Sequence, residues 1–161
     1  MALPKKGIDI SEFNGDVDIQ ALKGQVEFVI IRCGYGSDYP NQDDSQFENN
    51  VRKCQAAGIP WGTYLYSYAQ NTDMARSEAA HTLRLLQGRR PPYGVWYDVE
   101  DSSLPSGEAL IDHVVAYCQA LEAAGLYCGV YAPPPRGDGR PHSPRMDRFD
   151  QVGGHGSRRT D

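Results

Sequence analysis

A chain of 161 residues and 17.8 kDa has room for one domain, or one and a fraction. With 40% hydrophobic and 23% charged residues it can build a packed core, which argues against global disorder. The net charge of −5 and the pI near 5.3 count against a sequence-blind nucleic-acid binder, and no apolar run of about 18 residues is present to span a membrane.

The opening residues, Met-Ala-Leu-Pro-Lys-Lys, lack the apolar stretch of a secretory signal. Residues 7–11, Gly-Ile-Asp-Ile-Ser, form a short β-type run, and residues 16–23 read as a short helix or turn. Residues 26–32 are nearly continuous apolar and β-branched, predicting a second strand that breaks at Gly34 and Gly36. Phe47, Val51, Cys54 and Ala57 have helical spacing, with Gly58 as a left-handed stop. A third strand is predicted at residues 61–68. Asp73 is then the expected cap of a helix carrying Ala79, Ala80, Leu83 and Leu86 up to Gly88. Residues 93–99 predict a fourth strand. Ser106 opens a helix carrying Leu110, Val114, Tyr117, Leu121 and Ala124, stopped by Gly125, and residues 126–131 predict a fifth strand.

Continuous apolarity in these runs means strands buried on both faces, as in a parallel sheet. Residues 56–64 and 123–131 share one shape: a helix end, a glycine, a short turn, then a strand with Gly and Tyr. The expected class is therefore α/β, either an open doubly wound sheet or part of a βα barrel, with five strands.

Residues 133–161 differ in composition. They hold six Arg, five Pro and five Gly, with Met146, Phe149 and Val152 as the only large apolar residues, and six Arg against four Asp leave them at +2. Such a segment cannot bury enough apolar surface to offset its ordering entropy, so a disordered tail is expected.

Carboxylates at predicted strand ends carry the chemistry. Asp98 and Glu100 are two residues apart on the fourth strand, so their side chains share one face. They lie at the C-terminal edge, where βα folds build active sites, and Asp9 ends the first strand at the same edge. Crowded, desolvated carboxyls raise at least one pKa, as a general acid requires. Spacing alone leaves helix capping, ion pairing and Mg²⁺ binding open as well. Around the acids fall Tyr35, Tyr64, Tyr66, Tyr68, Trp96, Tyr97 and Tyr131. Aromatic faces with carboxylates suit a sugar chain, and barrel filling is the other reading. Arg32, ending the second strand, is expected to pair with Asp9. His81 and His113 fall within helices, away from the strand ends. Gly34-Tyr35-Gly36 is no phosphate loop, and Ser11, Ser67 and Ser106 lack the Gly-x-Ser-x-Gly context of a serine hydrolase. Cys33, Cys54, Cys118 and Cys128 form no Cys-x-x-Cys pair and sit at apolar positions, which predicts unpaired buried thiols and no zinc knuckle.

Residues 7–11, then Phe28-Val29-Ile30-Ile31-Arg32 followed by Gly34 and Gly36, then Gly62-Thr63-Tyr64-Leu65-Tyr66-Ser67, then Asp98-Val99-Glu100, occur in the order seen in glycoside hydrolase family 25. The resemblance covers residues 7 to about 132. It implies a lysozyme, an N-acetylmuramidase that cuts the β-1,4 bond between N-acetylmuramic acid and N-acetylglucosamine in peptidoglycan. It also implies a TIM-like βα barrel of eight strands, of which about five are recognisable here. By motif it implies Asp9, Asp98 and Glu100 as the catalytic acids, with Glu100 as proton donor. Tyr64, Tyr66 and Tyr131 match groove positions, and Arg32 and Tyr35 join them as substrate-binding candidates. No metal or other cofactor is expected. The expected partner is the glycan strand of the cell wall, with no nucleic acid and no membrane span. The site of action is extracellular, reached by an unknown route such as phage-type release.

The resemblance stops at Tyr131-Ala132, where the family continues with three more strands and a Trp-x-Ala-type motif. Met146-Asp147 read one base forward contains a Trp codon, and the same shift at residues 151–154 permits Arg-Trp-Val-Ala. The expectation is a partial catalytic domain over residues 1–132 and a frameshifted tail over 133–161. Such a monomer would be aggregation-prone and weak or inactive as a lysozyme. Two further readings are a non-catalytic wall-glycan binder and an open-sheet protein holding a divalent cation at the acidic strand ends.

Overall fold

A computed structural model describes residues 6–132. The reading of residues 133–161 as a frameshifted tail lies outside the described residues. Five strands form one sheet in the order β1-β2-β3-β4-β5: β1 (Gly7–Ile10), β2 (Phe28–Tyr35), β3 (Trp61–Tyr66), β4 (Val95–Asp98) and β5 (Cys128–Tyr131). All four pairings are parallel. Helices α1 (Phe47–Ala57), α2 (Thr72–Leu86) and α3 (Gly107–Ala123) make the three crossovers from β2 to β5. The β1–β2 connection instead uses two 3-10 turns, Glu12–Asn14 and Ile19–Leu22. This is the expected α/β architecture, an open five-stranded sheet of the TIM-like barrel type. Among the described residues, no helix is long and apolar enough to cross a membrane.

Alternation along β2 shows why its sequence is apolar throughout. Val29, Ile31 and Cys33 join the large core between sheet and helices, with Val51 and Cys54 of α1, Leu65, Tyr97, and Val114, Tyr117 and Leu121 of α3. Phe28 and Ile30 face the other way and pack with Trp96, Tyr64 and Tyr93 in a second, inner cluster. Both faces are covered over residues 28–31, which accounts for the continuous apolarity up to Arg32. Trp96 lies across its register partner Gly129, where a Cβ would come 2.2 Å from the indole ring. The tryptophan therefore needs glycine at that point of β5.

Three local expectations are corrected. β2 does not break at Gly34 but runs to Tyr35. A bulge between Arg32 and Gly34 absorbs Cys33, and Gly34 leaves room for the Gln42 carbonyl, which a Cβ would approach to 2.6 Å. The cap of α2 is Asn71, whose side chain accepts from Met74 N–H, and Asp73 sits in the first turn, where its charge complements the helix dipole. That helix ends one residue early, with Gln87 in the left-handed region before Gly88. Ser106 does open α3, without a side-chain capping bond, and Gly58 caps α1 at φ 71° as expected.

Candidate active site

The C-terminal ends of the strands surround a cavity of about 750 Å³. The expected catalytic and substrate-binding residues line it: Asp9 from β1, Arg32 and Tyr35 from β2, Tyr64 and Tyr66 from β3, Asp98 and Glu100 from β4 and the residues after it, and Tyr131 from β5. Register explains the convergence. Tyr66, Asp98 and Tyr131 are direct cross-strand partners, as are Arg32 and Tyr64, and Tyr64 and Trp96. Arg32 and Tyr35 are an odd number of residues apart and would point to opposite faces of a regular strand. The extra residue of the bulge restores their phase, so both enter the cavity.

Asp98 is only 4% exposed, whereas Glu100 is partly open to the cavity. Burial, then the adjacent Glu100 carboxyl and then Asp9, push the Asp98 pKa far above the carboxylate range. Its Oδ1 has no hydrogen-bond partner. Burial and the charge of Glu100 also raise Asp9. Burial raises the hydroxyls of Tyr64 and Tyr66, which stay protonated as donors. Tyr66 donates to Asp101 at 3.0 Å.

Arg32 does not pair with Asp9, contrary to expectation. Its Nε donates to Asp44 Oδ2 at 2.8 Å, and its Nη2 lies 3.2 Å from Glu12 Oε2. Asp44 also accepts from the backbone N–H groups of Glu12 and Gln46, and Glu12 accepts from both Ser45 N–H and Ser45 Oγ. The guanidinium is thereby held between the rings of Phe13 and Tyr35, 4.8 and 5.5 Å from their centroids. Phe13 itself is 80% exposed at the cavity rim. Sequence reasoning missed Glu12, Phe13 and Ile30 as lining residues. The first two stand on a three-residue 3-10 turn, too short to have a periodicity.

Tyr97, grouped with the site aromatics from sequence, points outward. It stacks on Tyr117 at 3.8 Å and donates to Glu78 Oε1 at 2.6 Å. Strand parity with Asp98 was the available signal. Glu78, fully buried on α2, also accepts from Ser67 Oγ at 2.7 Å and Tyr68 N–H at 2.8 Å, and burial raises its pKa. His81 is buried away from the cavity, bonded to the Gly36 carbonyl and Asp43, and His113 is buried on α3. Among the described residues, no three His, Cys, Asp or Glu side chains form a metal-holding group.

Fold and cavity together define an open, five-stranded part of a TIM-like βα fold with an acidic, aromatic-walled mouth. Residues 8–133 match the family described as Glycosyl hydrolases family 25. Among solved structures, the modular autolysin LytC from Streptococcus pneumoniae is similar at 28% identity and a TM-score of 0.77, over 90% of this chain and 36% of that one. A family 25 glycosyl hydrolase from Bacillus anthracis is 19% identical with a TM-score of 0.70, over 86% of this chain and 66% of that one. The spore cortex lytic enzyme SleM from Clostridium perfringens is 21% identical with a TM-score of 0.68, over 77% and 42%. The last two likenesses are of fold alone. The chain spans 36% of the autolysin's length, and no curated protein matches it. The chain belongs to glycoside hydrolase family 25.

Proposed function

We propose that this chain is a muramidase-type glycosidase that hydrolyses the β-1,4 bond between N-acetylmuramic acid and N-acetylglucosamine in peptidoglycan, outside the cell. The observation that carries this reading is the Asp98–Glu100 pair at the mouth of an aromatic-walled cavity. Glu100, the more open of the two, protonates the glycosidic oxygen as the bond to the anomeric carbon breaks. Asp98 sits deeper and hydrogen-bonds the substrate's N-acetyl group while positive charge develops at the anomeric carbon. That group's carbonyl oxygen then serves as internal nucleophile, and water completes the hydrolysis. Asp9 adds a third carboxyl at the same edge. Tyr64, Tyr66, Tyr131 and Tyr35 supply ring faces and hydroxyl donors for the sugars, and Arg32 stiffens the opposite wall.

Glu100→Gln tests the assignment. Turbidity loss of purified cell walls is expected to fall about 10²- to 10⁴-fold, with the secondary structure retained by circular dichroism. Borohydride reduction of the parent's products is expected to convert N-acetylmuramic acid, the new reducing end, to its alcohol. A variant within a few-fold of the parent, or N-acetylglucosamine at the new reducing ends, would sink the proposal. Wall binding by the parent without release of reducing ends would instead favour a glycan-binding role.

A further inference from the structure

Two thiols meet in the outer core, on the far side of the sheet from the carboxyl cluster. Cys118 lies on α3 beside Tyr117, and Cys128 opens β5. Both are buried, and their sulfurs are 3.0 Å apart, with the Cys128 S–H donating to Cys118. That separation is about 1 Å more than a sulfur–sulfur bond. The other cysteines are placed differently: the Cys33 thiol lies against the hydroxyls of Thr63 and Thr82, and Cys54 is within α1. β5 has only four residues and, among the described residues, pairs only with β4, so the proposed route to the buried thiols is a local opening of this strand.

We propose that Cys118 and Cys128 are a redox modification site, closed to an intramolecular disulfide by a low-molecular-weight disulfide and fastening β5 to α3. The Cys118 thiolate, with Cys128 keeping its proton, attacks one sulfur of the small disulfide and displaces a thiolate, which takes up a proton. Cys128 then loses its proton and attacks Cys118 Sγ in the mixed disulfide, displacing the second small thiol. Two cysteine thiols are oxidised by two electrons in total, and one small disulfide is reduced to two thiols. Tyr131, the register partner of Asp98, lies three residues beyond Cys128, so the bond anchors a strand that forms one wall of the cavity.

The test uses the full chain, reduced, freed of reductant and incubated folded with oxidised glutathione before alkylation in denaturant. The expected product has lost two hydrogens, retains no glutathione and exposes two alkylatable cysteines of four, with dithiothreitol restoring all four. Glu122 lies between the two cysteines, so a glutamyl endopeptidase separates them into peptides joined only by the new bond. Cys118→Ala, which lacks the attacking thiol, is expected to keep three alkylatable cysteines under the same treatment, and Cys128→Ala, which lacks the resolving thiol, to keep two and retain one glutathione on Cys118. If either variant fails to fold, the peptide map of the parent decides alone. Four alkylatable cysteines in the parent, a retained single glutathione, or any other linked pair overturns the proposal. Amide exchange over residues 128–131 is expected to slow on oxidation, and unchanged exchange in the linked protein overturns the fastening of β5.

Discussion

Asp98→Asn should stabilise the protein while removing a group the proposed chemistry needs. The folded state holds the Asp98 pKa far above its unfolded value, because burial and the Glu100 and Asp9 carboxyls disfavour the anion. Below about pH 4 the side chain is protonated in both states and contributes nothing. As pH rises further, the unfolded chain releases this proton and the folded chain keeps it, so stability falls by about 1.4 kcal/mol per pH unit. Between about pH 5 and pH 7 the parent therefore loses about 3 kcal/mol through this one group, a large fraction of a small domain's total. Asparagine does not titrate. Glu100 and Asp9 interact with Asp98, so the difference between the two stability curves reports this coupled set, with Asp98 as the member that the substitution removes. Urea unfolding followed by the fluorescence of buried Trp61 and Trp96 measures it. The variant should gain about 2–3 kcal/mol on the parent across that pH interval. Parallel curves, or a parent that gains on the variant as pH rises, would refute the account of Asp98 as a carboxyl held neutral by its surroundings.

Arg32→Ala removes the cation from a fully buried Asp44 carboxylate and should cost about 3–5 kcal/mol in thermal or urea unfolding. Gly34→Ala drives a Cβ to 2.6 Å from the Gln42 backbone carbonyl, so a loss of about 1–3 kcal/mol is expected in the same assay. Phe13→Ala, at an exposed ring, should change stability by no more than about 1 kcal/mol. In wall-lysis kinetics the same variant should raise KM with kcat held, as expected of a rim platform. A kcat loss without a KM change would place Phe13 elsewhere in the reaction.

The strand-borne half of the site was legible because β structure has a period of two and a direction. Asp98 and Glu100 are in phase at the end of an apolar run, and the aromatics of β3 and β5 end runs of the same kind. Contacts between distant segments were not legible. Arg32 finds Asp44 twelve residues on because the Pro40–Gln42 turn folds the chain back, and no spacing rule marks that carboxylate over Asp9. Gly34 and Gly36 look like strand breakers, yet the first is a close-packing site within β2 and the bulge before it resets the phase of Tyr35. Asn71 and Asp73 are both good caps by residue type. The extended backbone of Asn71, at φ −155°, decides between them, and that follows from where the chain leaves β3.

The buried carboxylate of Glu78 makes the cleft mechanically lopsided. It bolts α2 to the Ser67–Tyr68 corner and to Tyr97 through three hydrogen bonds in a dry core, where sliding the helix along the sheet would strand all of them at once. Tyr66, Tyr68 and Asp98 thus belong to a stiff jaw, locked to the helix layer behind it. The facing jaw is the 3-10 turn bearing Phe13, propped by surface-reaching Glu12 and with no buried residue of its own. That turn is held only at its base, through Glu12 and the Arg32–Asp44 pair, while the Phe13 ring above it stands largely in solvent. On the proposed function, any adjustment to an entering glycan falls on the exposed Phe13 ring, while Tyr66, Tyr68 and Asp98 keep their spacing.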